Sequence, residues 1–148
     1  MLKKILLTKD DFALALARLG LGIVFFPHGA QKVMGWFGGY GFTGTMEFFT
    51  QSMHIPFIFA LLAILAEALG SLGLIFGLFS RIAAFGIATN MIVAIFTIHR
   101  HMGFFMNWMG NQKGEGFEYH ILAITLALVI MIRGSGSYSL DHAITKSS

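Results

Sequence analysis

One carboxylate stands alone in the longest apolar run of this chain. Between Pro56 and Phe79, PFIFALLAILAEALGSLGLIFGLF, Glu67 is the single charged residue. A carboxylate within an apolar helix is costly, so it is kept where it has a partner or a chemical role, which means an ion pair, proton transfer, or capture of a polar head group. Five of the six histidines, His28, His54, His99, His101 and His120, fall at the ends of apolar segments or in the loops joining them, all on one side. Imidazoles placed there can donate to a quinone oxygen, shuttle protons, or ligate haem or copper. His28, His99 and His120 end different segments at similar depth, with Gln31, Lys32, Asn107 and Glu118 close in sequence. Glu67, His28 and His99 are therefore the candidate proton-handling residues. Arg18, Lys32, Asn90, His120, Trp108 and Glu118 are the candidate ligand contacts, and no residue is assigned to a metal. Rise along the helices puts Arg18 about 9 Å, Asn90 about 12 Å and Glu67 about 18 Å from one membrane face, which allows an Arg18–Glu67 pair. The structural alternative is an ion pair that only fixes helix register, with the histidines as ordinary interfacial residues.

The elements that must position these groups are read from hydropathy. Spans are expected at Phe12 to Met34, with Pro27 kinking or unwinding it, at Pro56 to Phe79, at Ile82 to His99 and at Glu118 to Arg133. Ser80-Arg81 is too short for anything but a tight turn, so the second and third spans run antiparallel. Gly86, Asn90 and Ala94 share one face of the third span, and Gly73 and Gly77 form a small-residue pair that suits internal packing more than a dimer seam. Two long connections, Trp36 to Ile55 and Arg100 to Phe117, lie on the outer side; the first carries a short interfacial helix from Thr45, and the second folds over the bundle. The expected fold is all-α, one domain over residues 1–148: a transmembrane four-helix bundle with two long outer loops.

Composition agrees with that class. The 148 residues are 56% hydrophobic and 11% charged, with a mean hydropathy of +0.76, outside the soluble range. The net charge of +3 comes from basic residues flanking apolar runs, not from a nucleic-acid patch. No cysteine is present, which excludes disulfides, thiolate nucleophiles and dithiol exchange with quinones. The leader, with Lys3, Lys4 and Lys9, resembles the start of a signal peptide but lacks a convincing cleavage site and is read as retained; Leu2, Ile5, Leu6 and Leu7 suit the membrane surface. Lys3, Lys4, Lys9, Arg81, Arg133 and Lys146 fall on one side and Lys32, Arg100 and Lys113 on the other, so both termini are expected in the cytoplasm.

Four stretches in order, ARLGLGIVFFPHGAQKVMG, AEALGSLGLIFGLFSRIAA, IHRHMGFFMNWMGNQKGEGFEYHILAI and GSGSYSLD, together resemble the DoxX family of small bacterial membrane proteins. The resemblance covers nearly the whole chain and implies a four-span inner-membrane bundle, in a family named for a subunit of a terminal quinol oxidase. Relatives are tied to thiosulfate:quinone oxidoreduction or to oxidative stress. The family pattern carries over to Arg18, His28, Gly29, Lys32, Glu67, Gly77, Arg81, His99, Glu118 and Tyr138-Ser139-Leu140-Asp141. Gly134-Ser135-Gly136 departs from the usual Gly-Pro-Gly.

The leading expectation is a redox-associated membrane protein that binds a quinone-like or small amphipathic ligand among its helices, catalytic only as an oxidoreductase subunit. No flavin or nicotinamide fingerprint is present, so the electron carrier is the ligand or a soluble or membrane redox partner. Quinone leads as cofactor, haem ranks behind it, and a homo-oligomer is compatible. The alternatives are a non-catalytic scaffold for soluble redox or detoxification enzymes and a small-solute carrier.

Overall fold

The computed structural model describes residues 5–146; Leu2, Lys3 and Lys4 lie outside the described residues. Among the described residues there are six α-helices and no strand: α1 (Phe12–Met34), α2 (Gly41–Glu47), α3 (Phe57–Phe76), α4 (Ser80–Thr97), α5 (Glu118–Arg133) and α6 (Leu140–Lys146). Asp11 starts α1 by accepting the backbone N–H of Ala13 and Leu14 at 2.9 and 3.3 Å, satisfying donors that a helix leaves open at its first turn. The helix continues through Pro27 and stops at Gly35, whose φ of 71° is the left-handed cap conformation. The expected kink at Pro27 therefore does not divide it.

The turn between the second and third spans lies three residues earlier than expected. Gly77 takes φ 67° and its successor Leu78 donates back to the Gly73 carbonyl at 2.8 Å, closing α3 at Phe76. Ser80 and Arg81, expected as the turn, instead open α4. The short helix of the first connection also begins earlier, at Gly41 instead of Thr45, and runs on into a wider π-turn over Phe48–Ser52. It is docked on the helical body: Met46 packs with Ala60 and Ile64 of α3, and Phe49 and Ile55 lie against them. Leu6 is likewise buried, not spread on a membrane surface, while Leu7 beside it is exposed.

The four long helices pack in a ring, α1 on α3, α3 on α4, α4 on α5 and α5 on α1. Leu21, Phe25, Leu74, Ile87, Ala127 and Ile130 fill its interior. Gly29 brings α1 hard against α3: a Cβ at that position would stand 2.7 Å from the Ala68 Cα, a contact only a glycine permits. Outward faces are the reverse of a soluble protein's. Ile23, Leu69, Phe96 and Ile132 are each at least 60% exposed, a surface that lipid, not water, would cover. By length and apolarity α1, α3 and α4 can each cross a membrane; α5, at 16 residues, is shorter.

Candidate functional site

The helices deliver side chains to two ends. At the end that carries both long connections, a cavity of about 500 Å³ lies inside the ring. His28 and Lys32 of α1, Glu67 of α3, Asn90 of α4, His99 just after α4 and His120 of α5 all line it. Six of the residues singled out from sequence thus share one space, though they are spread across four helices and a loop. The approach at Gly29 sets the geometry, because Lys32 lies one turn further along the same helix and faces Glu67 across the seam. Lys32 Nζ is 2.5 Å from Glu67 Oε2. Asn90 Nδ2 donates to the Ala63 carbonyl at 2.8 Å and reaches Glu67 Oε1 at 3.4 Å. The carboxylate therefore has a cation on one oxygen and an amide on the other, the arrangement that lets a charge persist away from water.

The opposite wall is aromatic. His99 and His120 lie with ring centroids 4.1 Å apart, tilted by 45°. His99 Nδ1 contacts the Glu115 carbonyl at 2.8 Å, which ties the second connection over the cavity and brings Met106 and Glu115 into its lining. Phe25 stacks on Tyr119, with centroids 6.2 Å apart, and sits 6.0 Å from the His28 ring. Two buried atoms of this wall, the Tyr119 hydroxyl and His120 Nδ1, have no hydrogen-bond partner. Buried polar atoms are rarely left so, because each costs about 1–3 kcal/mol. Both atoms are closed off from open space as the rings stand, so a ligand oxygen or nitrogen meets them only when the rings turn towards the cavity. Tyr119 is a site residue that sequence reasoning misses; its only signal is its place beside His120 at the start of a span, where tyrosine is common as an interfacial anchor.

Three of the expected ligand contacts, Trp108, Glu118 and Arg18, do not reach the cavity. Trp108 is 85% exposed at the tip of its loop. Glu118 accepts the Met106 N–H at 2.8 Å and so pins the loop to the first turn of α5, where a negative charge also suits the helix dipole. His54 and His101 stay on the connections, His101 accepting from Arg100 Nε at 2.9 Å. Among the described residues no three His, Asp or Glu side chains cluster to hold a metal ion. The contact between the His99 and His120 rings also leaves no space for a haem plane between them.

Arg18 is a correction: it does not pair with Glu67. It is fully buried at the other end of the ring, where the segment before α1 meets the segment after α5. Its guanidinium donates to the carbonyls of Leu74 and Ile75 at the end of α3 and to those of Ser135, Ser137 and Tyr138 in the segment after α5. Binding so many carbonyls at once requires the five donors of the guanidinium fork, and a lysine could not do it. Asp141, buried at the start of α6, accepts Phe79 N–H at 2.8 Å, Ser80 N–H at 3.1 Å and the Ser135 hydroxyl. It thereby caps α4 from outside. The Gly-Ser-Gly-Ser-Tyr-Ser-Leu-Asp stretch is accordingly a strap that closes this end. Arg81 continues it by donating to the carbonyls of Met131, Ile132 and Leu7.

No solved structure matches the chain. It is 32% identical to "Putative oxidoreductase CatD" of Bacillus subtilis strain 168, over 88% of this chain and 86% of that protein. It is 26% identical to "Inner membrane protein YqjF" of Escherichia coli strain K12, over 93% of this chain and 95% of that protein. The DoxX family pattern matches residues 13–100, a stretch that includes Arg18, Gly29, Lys32, Glu67, Gly77 and Asn90, so that the ion pair and Arg18 with its Leu74 and Ile75 partners fall inside it, while the strap that supplies the other three carbonyls falls outside. The chain belongs to the DoxX family.

Proposed function

We propose that this chain is a four-span inner-membrane protein with a redox-associated role, and that the cavity at its loop end binds the polar head of a quinone-like or other small amphipathic molecule. One observation carries the reading: a cavity lined by the Lys32–Glu67 ion pair together with Tyr119 and His120, whose hydroxyl and ring Nδ1 are buried, unpartnered and brought to a ligand by a turn of their rings. A cation, a carboxylate, a phenol and imidazoles around one space suit a polar ring that carries oxygens. Phe25, Met91 and Ile98, also in the lining, offer its apolar faces a surface. Glu67, His28 and His99 are the groups that exchange protons with it. The names of the two relatives, a putative oxidoreductase and an inner membrane protein, support the setting. Helix α5 is the fourth span. At about 24 Å it is short, and Arg133 at its end extends it by snorkelling.

The test uses methylbenzoquinone, a head group without a tail, titrated into protein purified in mild detergent and followed by calorimetry. Wild type binds it, and Glu67→Gln weakens binding by about tenfold, or about 1.4 kcal/mol. Equal binding by the two, or none by wild type, overturns the reading. Organic extraction and mass analysis of the purified protein identifies what it carries from the cell.

A further inference from the structure

A second cavity, of about 900 Å³, runs as a groove along the outward seam between α3 and α4. It follows α3 from Phe59 to Phe76, a length of about 25 Å. Gly70, Gly73 and Gly86 line it, and they let α3 and α4 approach closely at its base, since a Cβ at Gly86 would stand 3.0 Å from that of Ala66. Its walls are almost wholly apolar, and Leu62 and Leu69 on its rim are more than half exposed. The decisive feature is its upper end. Ile55, Ala63, Asn90 and Val93 line both this groove and the head-group cavity. The two spaces meet at the Asn90 side chain, which is held by the Ala63 carbonyl at 2.8 Å and touches Glu67 Oε1 at 3.4 Å.

We infer that the groove holds the apolar tail of the same molecule whose head occupies the cavity, with Asn90 as the partition across which the two are joined. The ligand is then a lipid-soluble compound with a polar ring and a long hydrocarbon chain. It arrives sideways from the bilayer between α3 and α4, and not through the aqueous loops. The proposal rests on the head-group reading above and adds to it the tail, the route and the role of Asn90. The groove's length, its apolar walls and its junction with a polar cavity at one end only all fit a chain with one head.

The experiment uses a benzoquinone with a decyl chain ending in a diazirine, added to the full chain in phosphatidylcholine bilayers, illuminated, and mapped by mass spectrometry. The label is expected on Leu69, Leu72 and Phe85, further along the groove from the Asn90 junction, and excess methylbenzoquinone removes most of it. Thr89→Trp, which fills the groove from a position that does not line the head-group cavity, lowers labelling by about tenfold and leaves methylbenzoquinone binding unchanged. Label spread over Ile23, Leu122 and Ile132, insensitive to the competitor, overturns the tail assignment while leaving the head-group reading standing. Failure of wild type to bind methylbenzoquinone overturns both. Because the chain has no cysteine, a Thr89→Cys variant gives a clean check on the other occupant: a disulfide-linked dimer in bilayers assigns the groove to a second copy and overturns the tail.

Discussion

Glu67 is the residue on which most depends, and its partner was the part of the site least legible in sequence. Depth counted along the helices favours Arg18, yet Arg18 spends its donors on carbonyls at the end of α3 and in the strap. Lys32 reaches down from the last turn of α1 instead. The choice is made by Gly29, which closes the seam between α1 and α3, and by a C-terminal segment that returns to the far end; neither follows from hydropathy. Two predictions belong here. Lys32→Met leaves a carboxylate unpaired, at a cost of about 2–3 kcal/mol, less than for a fully buried pair because the Lys32 side chain retains 23% exposure. Lys32→Met with Glu67→Gln recovers part of that loss in denaturant titrations in detergent; a double variant no more stable than Lys32→Met alone argues that the pair is not the reason for the loss. Tyr119→Phe removes a buried hydroxyl that has no partner. The ligand-free protein is expected to gain about 1 kcal/mol while methylbenzoquinone affinity falls, an opposition that a purely structural tyrosine does not produce.

At the scale of elements, the strap after α5 is the device that sequence marks without explaining. Its serines, glycines and final aspartate read as a family signature; the structure makes them a clasp. Gly77 has to be glycine twice over, for its φ of 67° and because a Cβ there would stand 2.3 Å from that of Ser139. The four long helices themselves were legible, since runs of about twenty apolar residues have few other uses. Their boundaries near Phe79 were not, because the turn is fixed by Asp141, 62 residues along the chain from Phe79 and invisible to any local pattern. Asp141→Ala removes the cap of α4 and the Ser135 contact. It is expected to cost about 2 kcal/mol and to expose the segment from Gly134 onward to limited proteolysis. Methylbenzoquinone affinity should stay within about twofold, since the clasp and the cavity lie at opposite ends. A parallel loss of binding would show that the clasp sets the spacing of α1 and α3 along their whole length. Gly29→Ala acts on that spacing directly, so there the loss of binding is expected.

For the whole molecule the open question is how many times the chain crosses the bilayer, and it turns on α5. Three helices satisfy the length and apolarity of a span, while α5 has 16 residues between Glu118 and Arg133. Its packing argues for a crossing: it lies against both α1 and α4, and Ile130 near its end is as buried as Leu74 of α3. On the four-span reading it shares the solvent of the other three. Leu122 and Ile132 on its outward side, 66% and 71% exposed, then face lipid, and would be unaccountable in water. The consequence can be tested without a structure, because the absence of native cysteine makes single-cysteine labelling unambiguous. With four spans, Trp108 and Lys146 are on opposite sides of the membrane; with three, they are on the same side. Trp108→Cys is expected to react with an impermeant maleimide in intact cells, and Lys146→Cys only after the membrane is broken. That direction is the one the positive-inside rule expects from Lys9, Arg81, Arg133 and Lys146 at the terminal end. Reaction of both cysteines in intact cells would place α5 outside the hydrocarbon and dismantle the cavity's fourth wall as a membrane site. Reaction of Lys146→Cys alone would keep four spans but invert them, and would turn the loop-end cavity towards the cytoplasm.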